Sequence, residues 1–327
     1  MSARRRLSWL VSGLLALFGV LALIMVAHFV GAKSVTAALL ASLAWLPALF
    51  LIEGARTPME IWVTRRLLGE RRREVPLLSL LRAQAIFYAV SICAPGGRFV
   101  AEVSKASLLS THFGAARATA IATASQAGSL CADACAALLG LAAVLALSGF
   151  SWISLVVLGF AVGSLGLSLA VVRVAKRPLS ERFVARLGGF GRFLRELGAA
   201  ARTERMLRAD VVAILLAARL LQAVFLGVAM TAVGLPVTPI RALAALAVVM
   251  VGSLVGEAIP AQLGATDAAL LTLGPLFGVA TAPLATVGVL FHAAQLFWVA
   301  IGALVALTVR AARYEPAVLS PTRARSG

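Results

Sequence analysis

Three charged side chains follow one another at helical spacing in an apolar part of the chain: Arg98, Glu102 and Lys105. A helix that begins after Gly97 places them at i, i+4 and i+7, and therefore on one face. Arg binds phosphate through a bidentate fork and Lys binds it as a point charge, so Arg98 and Lys105 could contact a phosphate while Glu102 orients or balances them. The alternative is a salt-bridged helix face that binds no ligand.

Two further charged residues lie inside apolar runs of the sequence. Asp133 follows a stretch of small residues and could pair with Arg98, Lys105 or Arg219, or carry a proton. A structural ion pair is the alternative. Arg219 and Gln222 are one helical turn apart and could face the same interior, although an Arg near a helix end could also extend its charge to the membrane surface.

Two acidic residues flank a break in the second half of the chain. Glu257 lies three residues before Pro260, and Asp267 lies three residues after Gly264. Asp267 could cap the helix that begins there, or it could act on a substrate or a coupling ion. Glu257 has no such capping role, so we interpret it as a functional residue.

The charged residues lie beside two interruptions of the apolar sequence. The first interruption contains Pro95, Gly96 and Gly97, and the second contains Pro260 and Gly264. In a bilayer, broken backbone is tolerated only where protein or a water-filled cavity satisfies its polar groups. The two breaks therefore predict two broken or re-entrant helical hairpins with a polar site between them.

The composition places these residues in a membrane protein. The chain of 327 residues is 61% hydrophobic, and its mean hydropathy is +0.99. It repeats apolar runs of roughly 20 residues, the length that crosses a bilayer as a helix. We predict an all-α, polytopic transmembrane helical bundle in a single domain over residues 1–313. Its first half covers 7–172, a basic cytoplasmic connector covers 173–208, its second half covers 209–313, and a flexible tail covers 314–327.

The apolar runs predict about eight membrane segments, with each hairpin counted once. Cytoplasmic blocks must be separated by an even number of crossings, so the stretch after the first break must return the chain to its side of origin. The two hairpins then enter from opposite sides, which is typical of an inverted repeat with a substrate site near the midplane. The predicted segments are 10–30, 34–52, the pair 77–94 and 97–112, 118–147, 152–172, 211–233, the pair 242–259 and 268–280, and 283–309.

The formal net charge of +17 comes from basic residues that are distributed along the chain as the predicted topology requires. Most Lys and Arg residues lie in four blocks beside the apolar runs, at 4–6, 56–73, 173–208 and 310–325. The positive-inside rule places all four blocks, and both termini, on the cytoplasmic side of a bacterial-type cell membrane. Anionic lipids, rather than nucleic acid, are their expected partners. Spaced apolar residues in the connector predict a basic amphipathic helix, either in the lipid interface or packed on the bundle.

The two breaks and their surroundings resemble the lysylphosphatidylglycerol synthase transmembrane, or flippase-like, family. The first motif comprises 94–97, Glu102, Lys105, 108–109, Gly114, Ala118 and Asp133, and the second comprises 253–254, Pro260, Gly264, Asp267 and Gly274. The resemblance covers about residues 10 to 310. Family members typically have a Gly-Glu pair soon after the first break and a Gly-x-x-Glu after the second. Here Glu102 comes five residues after Gly97, and Asp267 takes the second acidic position.

The resemblance implies passage of an anionic phospholipid or a polyprenyl-linked lipid between leaflets, driven by gradients or coupled ions. No aminoacyl-transferase domain follows the apolar part, so it implies the translocating module without lipid aminoacylation, and no cofactor or metal is expected. The alternative is a membrane transferase for isoprenoid or phospholipid substrates, with Glu102, Asp133, Glu257 or Asp267 as acid or base. A membrane scaffold that recruits partners through its basic surfaces is a third class, but it would not need broken helices.

Overall fold

The computed structural model describes residues 36–37, 40–94, 96–178, 180, 184, 186–203, 205–257, 259, 262 and 264–308. Almost all of these residues are helical, and none of them is in a strand. The prediction of an all-α bundle is confirmed. The predicted segment 10–30, the break residues Pro95 and Pro260, and the tail 314–327 lie outside the described residues.

The helices follow the predicted apolar runs closely. In chain order they are α1 (Leu46–Gly54, after a 3-10 turn at Leu43–Trp45), α2 (Arg56–Leu68), α3 (Leu77–Cys93), α4 (Gly97–Phe113), α5 (Ala115–Ser148), α6 (Trp152–Lys176), α7 (Gly188–Thr203), α8 (Ala209–Ala232), α9 (Pro239–Gly256), α10 (Ala265–Leu271), α11 (Leu273–Phe277) and α12 (Thr281–Thr308).

Five of these helices, α5, α6, α8, α9 and α12, are long and apolar enough to cross a membrane. Helix α3 and the pair α10–α11 are apolar but shorter. The chain is therefore a multi-pass membrane protein, whereas the count of eight segments stays a prediction. The run 268–280, expected as one arm, forms two short helices because the chain turns at Thr272 between them.

The first hairpin consists of α3 and α4, which pack against each other. Helix α3 ends where Ala94 adopts an extended backbone, and α4 begins after Gly96, whose φ of 76° is left-handed. A side chain is unfavourable at such a φ, so glycine fits this turn. The tip of the first hairpin, residues 94–97, lies at the predicted break.

The second hairpin consists of α9, packed against α10, and the continuation α11. Helix α9 ends at Gly256, and Gly264 with φ 81° precedes α10. The Asp267 carboxylate accepts a hydrogen bond from the Gly264 N–H at 2.8 Å. Asp267 therefore closes the start of α10, as the capping interpretation predicts. Glu257, Ile259, Gln262 and Gly264 are the described residues of the tip of the second hairpin.

The two hairpins point towards each other from opposite ends of α8. At the start of α8, Arg208 donates to the Arg66 carbonyl at 3.0 Å. Apolar residues of the first hairpin's base, including Leu80 and Leu109, join the same hydrophobic cluster as Val211. The base of the second hairpin follows the other end of α8 through the loop 233–238. The tips meet where the Gly96 N–H donates to the Glu257 carbonyl at 3.1 Å.

The connector contains α7, which packs on α5 and α6. Gly191, Gly198 and Ala201 are buried on its inner side, whereas Phe190 is 60% exposed. The predicted amphipathic helix is therefore present, and its small residues lie against the bundle.

Candidate functional site

A polar cavity of about 160 Å³ lies where the two hairpin tips meet. One water needs roughly 10–15 Å³ of such space, so several waters fit. All long helices of the bundle and both tips contribute to its wall. The charged lining residues are Glu53, Arg56, Glu60, Arg98, Asp133, Arg219 and Glu257, and the uncharged polar ones are Tyr88, Ser91, Gln126, Ser164, Gln222, Ser253, Gln262 and Gln295.

One wall of the cavity holds a buried ion pair between α1 and α2. The Arg56 guanidinium Nη1 donates to both oxygens of Glu53, at 2.8 and 3.0 Å. The Tyr88 hydroxyl donates to Glu53 Oε1 at 2.8 Å. The Glu53 side chain is only 1% exposed, so its charge depends on these partners.

Arg56 corrects the sequence analysis, which assigned it to a cytoplasmic basic block. Only Ala55 separates α1 from α2, and Arg56 lies inside the bundle with Glu53. The sequence did contain a signal for this face. Glu53, Arg56 and Glu60 are spaced i, i+3 and i+7, which is one helical stripe.

The opposite wall holds the pair Asp133–Arg219. The Arg219 Nε lies 2.5 Å from Asp133 Oδ1, and both side chains are about 15% exposed. Arg219 Nη1 also donates to Gln222 at 3.5 Å. Asp133 thus forms an ion pair, which the sequence analysis gave as the alternative to a functional role. This pair connects α5 to α8.

Glu102 and Lys105 lie outside the cavity, in a buried polar network. The Lys105 ammonium donates to Gln84 at 3.0 Å, and the Gln84 amide donates to the Glu60 carboxylate. Glu102 accepts from the Ser125 hydroxyl at 2.9 Å. The two residues are 5–6% exposed. They connect α4 to α3 and α5, and they do not reach the cavity wall.

Arg98 lies in the cavity wall at the first tip. Its guanidinium lies 6.0 Å from the ring centre of Phe87, on which the Lys105 ammonium also stacks at 5.0 Å. Among the described residues Arg98 has no carboxylate within ion-pair distance, and its buried Nε has no hydrogen-bond partner. Arg98 is therefore a cation in the cavity wall whose Nε donor is unused among the described residues.

Glu257 lies in the cavity wall at the second tip. Its backbone carbonyl binds Gly96, but its carboxylate has no ion-pair partner in the described part of the chain. The structure thus brings together Arg98, Asp133, Arg219 and Glu257 of the predicted site.

Asp267 lies outside the cavity wall. Its carboxylate lies 3.2 Å from the His292 imidazole, and both side chains are 2% exposed. No group of three or more potential metal ligands occurs among the residues that the structure describes.

The apolar helices and the partly open polar cavity define a multi-pass membrane protein whose interior can accommodate a polar group. The family model described as the lysylphosphatidylglycerol synthase TM region matches residues 8–303, so the chain belongs to this family. Comparison with curated proteins gave no match, and comparison with solved structures gave none either.

Proposed function

We propose that the protein binds the anionic headgroup of a membrane lipid in this cavity and moves it between the two leaflets. The observation that carries the proposal is Arg98, a cavity cation without an acidic partner among the described residues. An unpaired guanidinium is costly in a membrane interior unless a ligand or water satisfies it. Phosphate is a suitable ligand because it accepts two hydrogen bonds from the guanidinium fork.

The pairing of the cavity charges supports this assignment, whereas their formal sum of −1 would by itself oppose an anion. Three Arg and four acidic residues line the cavity. Arg56 and Arg219 are already bound by Glu53 and Asp133. Glu60 accepts from Gln84.

Arg98 and Glu257 thus keep unoccupied binding capacity, one at each tip. In this proposal Arg98 binds the phosphate and Glu257 accepts hydrogen bonds from hydroxyl groups of the headgroup. Glu102, Lys105 and the Asp133–Arg219 pair hold the helices that present Arg98.

Apolar residues around the tips indicate where the lipid tails lie. Leu254 lines the cavity and is 54% exposed, and the adjacent Val255 is 71% exposed. On α4, Phe99 and Val103 are 70% and 55% exposed. Surfaces of this kind face hydrocarbon in a bilayer, so the acyl or prenyl chains can stay in lipid while the headgroup enters the cavity.

The proposed orientation follows the basic blocks. Arg71, Arg72 and Arg73 lie between α2 and α3, at the base of the first hairpin, and Arg208 lies beside Arg66 at the same end of the bundle. We assign this end, and the termini, to the cytoplasmic side of the cell membrane.

The test is leaflet exchange of tail-labelled phosphatidylglycerol in proteoliposomes, with a tail-labelled polyprenyl phosphate as the second anionic probe. We expect Arg98→Gln to lower the protein-dependent exchange rate at least ten-fold, because it removes the charge but keeps a polar side chain of similar reach. Arg98→Lys should retain part of the rate, since an ammonium still attracts phosphate without binding it in two places.

The matched control is Arg82→Gln in the same hairpin, because Arg82 is half-buried but does not line the cavity. Its exchange rate should stay within two-fold of the wild type. The proposal fails if folded wild-type protein exchanges neither probe, or if Arg82→Gln and Arg98→Gln lower the rate equally.

A further inference from the structure

The second hairpin contains a buried acid–base pair that headgroup binding does not use. His292 Nε2 on α12 lies 3.2 Å from Asp267 Oδ2, and both side chains are 2% exposed. The other carboxylate oxygen, Oδ1, and the other imidazole nitrogen, Nδ1, have no hydrogen-bond partner among the described residues. Gly288, one turn before His292, provides the space for the pair, because a Cβ there would overlap Asp267 Oδ1.

The pair is electrically isolated. Within helices α9 to α12 the only other ionisable side chain is Arg241, which donates to the carbonyls of Pro236 and Phe277 at the far end of α9. Glu257 follows the last turn of α9 and faces the cavity.

The charged groups of the neighbouring helices are paired, except Arg82 on α3, which has no ion-pair partner among the described residues. Helix α12 also packs on α1, α3 and α8. Glu53 on α1 and Arg219 on α8 are bound to Arg56 and Asp133. The ionisable groups of α3 are Arg82, Tyr88, which binds Glu53, and Cys93.

We propose that Asp267 and His292 form a proton-binding site that controls the tip of the second hairpin. With one shared proton the pair is neutral, as carboxylate and imidazolium or as carboxylic acid and imidazole. When the imidazolium N–H releases its proton to a cavity water, the pair becomes a buried anion. An anion is unfavourable in an apolar interior, so the site changes conformation or admits water when it loses the proton.

The pair is connected to the cavity side of the protein by one hydrogen bond of Asp267 and by the helix that carries His292. Asp267 Oδ2 also accepts from the Gly264 N–H at 2.8 Å, so the carboxylate holds Gly264, where the tip of the second hairpin joins α10. On α12, Gln295 lies one turn after His292 and lines the cavity. The role of this proton in driving lipid movement rests on the proposed function, whereas proton binding by the pair does not.

The first test is NMR of the full chain labelled with ¹⁵N-histidine in lipid nanodiscs. The chain has three His residues, and the signal absent from His292→Gln belongs to His292. We expect this signal to change between pH 5 and pH 9. Asp267→Asn keeps an acceptor for Gly264 but removes the charge that stabilises the imidazolium, so it should lower the proton affinity of His292 at least ten-fold.

The matched control is Asp210→Asn, which removes a carboxylate that pairs with Arg208 at the start of α8. It should leave the His292 transition unchanged. A His292 signal that is constant over this pH range, or one that titrates identically in Asp267→Asn, would show that the pair is only structural. Neither result depends on lipid exchange.

The second test measures the coupling to the tip. Ile259→Cys, in a chain whose Cys93, Cys131 and Cys135 are replaced by Ser, is labelled with a thiol reagent. The labelling rate of Ile259→Cys is compared with and without Asp267→Asn at the same pH, so that ionisation of the thiol affects both proteins equally. We expect the Asp267→Asn background to change the labelling rate at least three-fold. Equal rates at every pH would overturn control of the tip.

Discussion

At the scale of single residues, the cavity contains three Arg side chains in two different states. Arg56 binds the buried carboxylate of Glu53, and Arg219 binds that of Asp133, which is 14% exposed. Arg98 lies 6.0 Å from the ring centre of Phe87, and among the described residues Glu102 and Glu257 act on its charge only from beyond ion-pair distance. Pairing fixes the first two charges as structural elements, while the third remains able to bind an anion.

The Asp133–Arg219 pair gives a prediction at this scale. Asp133→Asn leaves the Arg219 charge buried without compensation, so we expect a loss of about 3 kcal/mol in the free energy of unfolding. Unfolding by a denaturing detergent in mixed micelles measures it. Asp133→Asn combined with Arg219→Gln should recover at least a third of the loss, since no charge then remains unpaired.

The control for this prediction is Asp210→Asn. Asp210 binds Arg208 at 2.9 Å, but both side chains are about a third exposed, so its loss should be below about 1 kcal/mol. Equal losses for Asp133→Asn and Asp210→Asn would contradict a buried, structurally required pair.

At the scale of helices, α5 organises the bundle. It has 34 residues, roughly 50 Å of helix, and it packs against α4, α6, α8 and α9. Small residues make this possible because they let helix backbones approach closely in lipid. At Gly140 a Cβ would overlap that of Ala247 on α9 and would lie 2.9 Å from the Leu243 carbonyl.

Gly140→Ala tests this close approach. Ala is favoured over Gly in a helix by roughly 1 kcal/mol, so a purely local effect would stabilise the protein. We expect the overlap with α9 to prevail and to lower the free energy of unfolding by about 1–3 kcal/mol. Gly159→Ala on α6 is the control, because nothing lies within 4 Å of its Cβ position. A Gly140→Ala protein as stable as Gly159→Ala would disprove the tight α5–α9 contact.

At the scale of the whole molecule, two hairpins enter from opposite ends and their tips meet at the cavity. This geometry places broken backbone from both ends beside one polar space. A headgroup bound there is adjacent to both tips at once. Movement of either tip can then open the cavity towards one side, which is the arrangement expected for alternating access.

Labelling from each side of the membrane tests the opposite entry. Single Cys residues at Glu74, near the base of the first hairpin, and at Val237, near the base of the second, are both exposed positions. In a chain without its native Cys residues, an impermeant thiol reagent added outside cells should label Val237→Cys. It should label Glu74→Cys only after permeabilisation. Labelling of both from the same side would refute this topology.

Most of the apolar helices and the two breaks could be predicted from the sequence, whereas α2 (Arg56–Leu68) lies in a stretch that was predicted as a cytoplasmic block. Helix α3 begins at the predicted residue, and α6 begins at the predicted Trp152. These features are local: apolar length specifies a membrane helix, and a Gly with positive φ precedes the helix that follows each break, as at Gly96 and Gly264. The spacing of Arg98, Glu102 and Lys105 on one helix face could also be predicted. The sequence did not show that Arg98 lines the cavity while Glu102 and Lys105 lie in a buried network.

Which charged residues line the cavity depends on how the helices pack, so it could be seen only in the tertiary structure. Arg56 was assigned to a cytoplasmic basic block because charge beside an apolar run resembles a topology signal, yet it lies inside the bundle with Glu53. Asp267 is paired with His292, 25 residues away in the sequence. Asp133 is paired with Arg219, 86 residues away. Such pairings depend on how helices pack, and helical spacing within one segment carries no information about which face of another segment it meets.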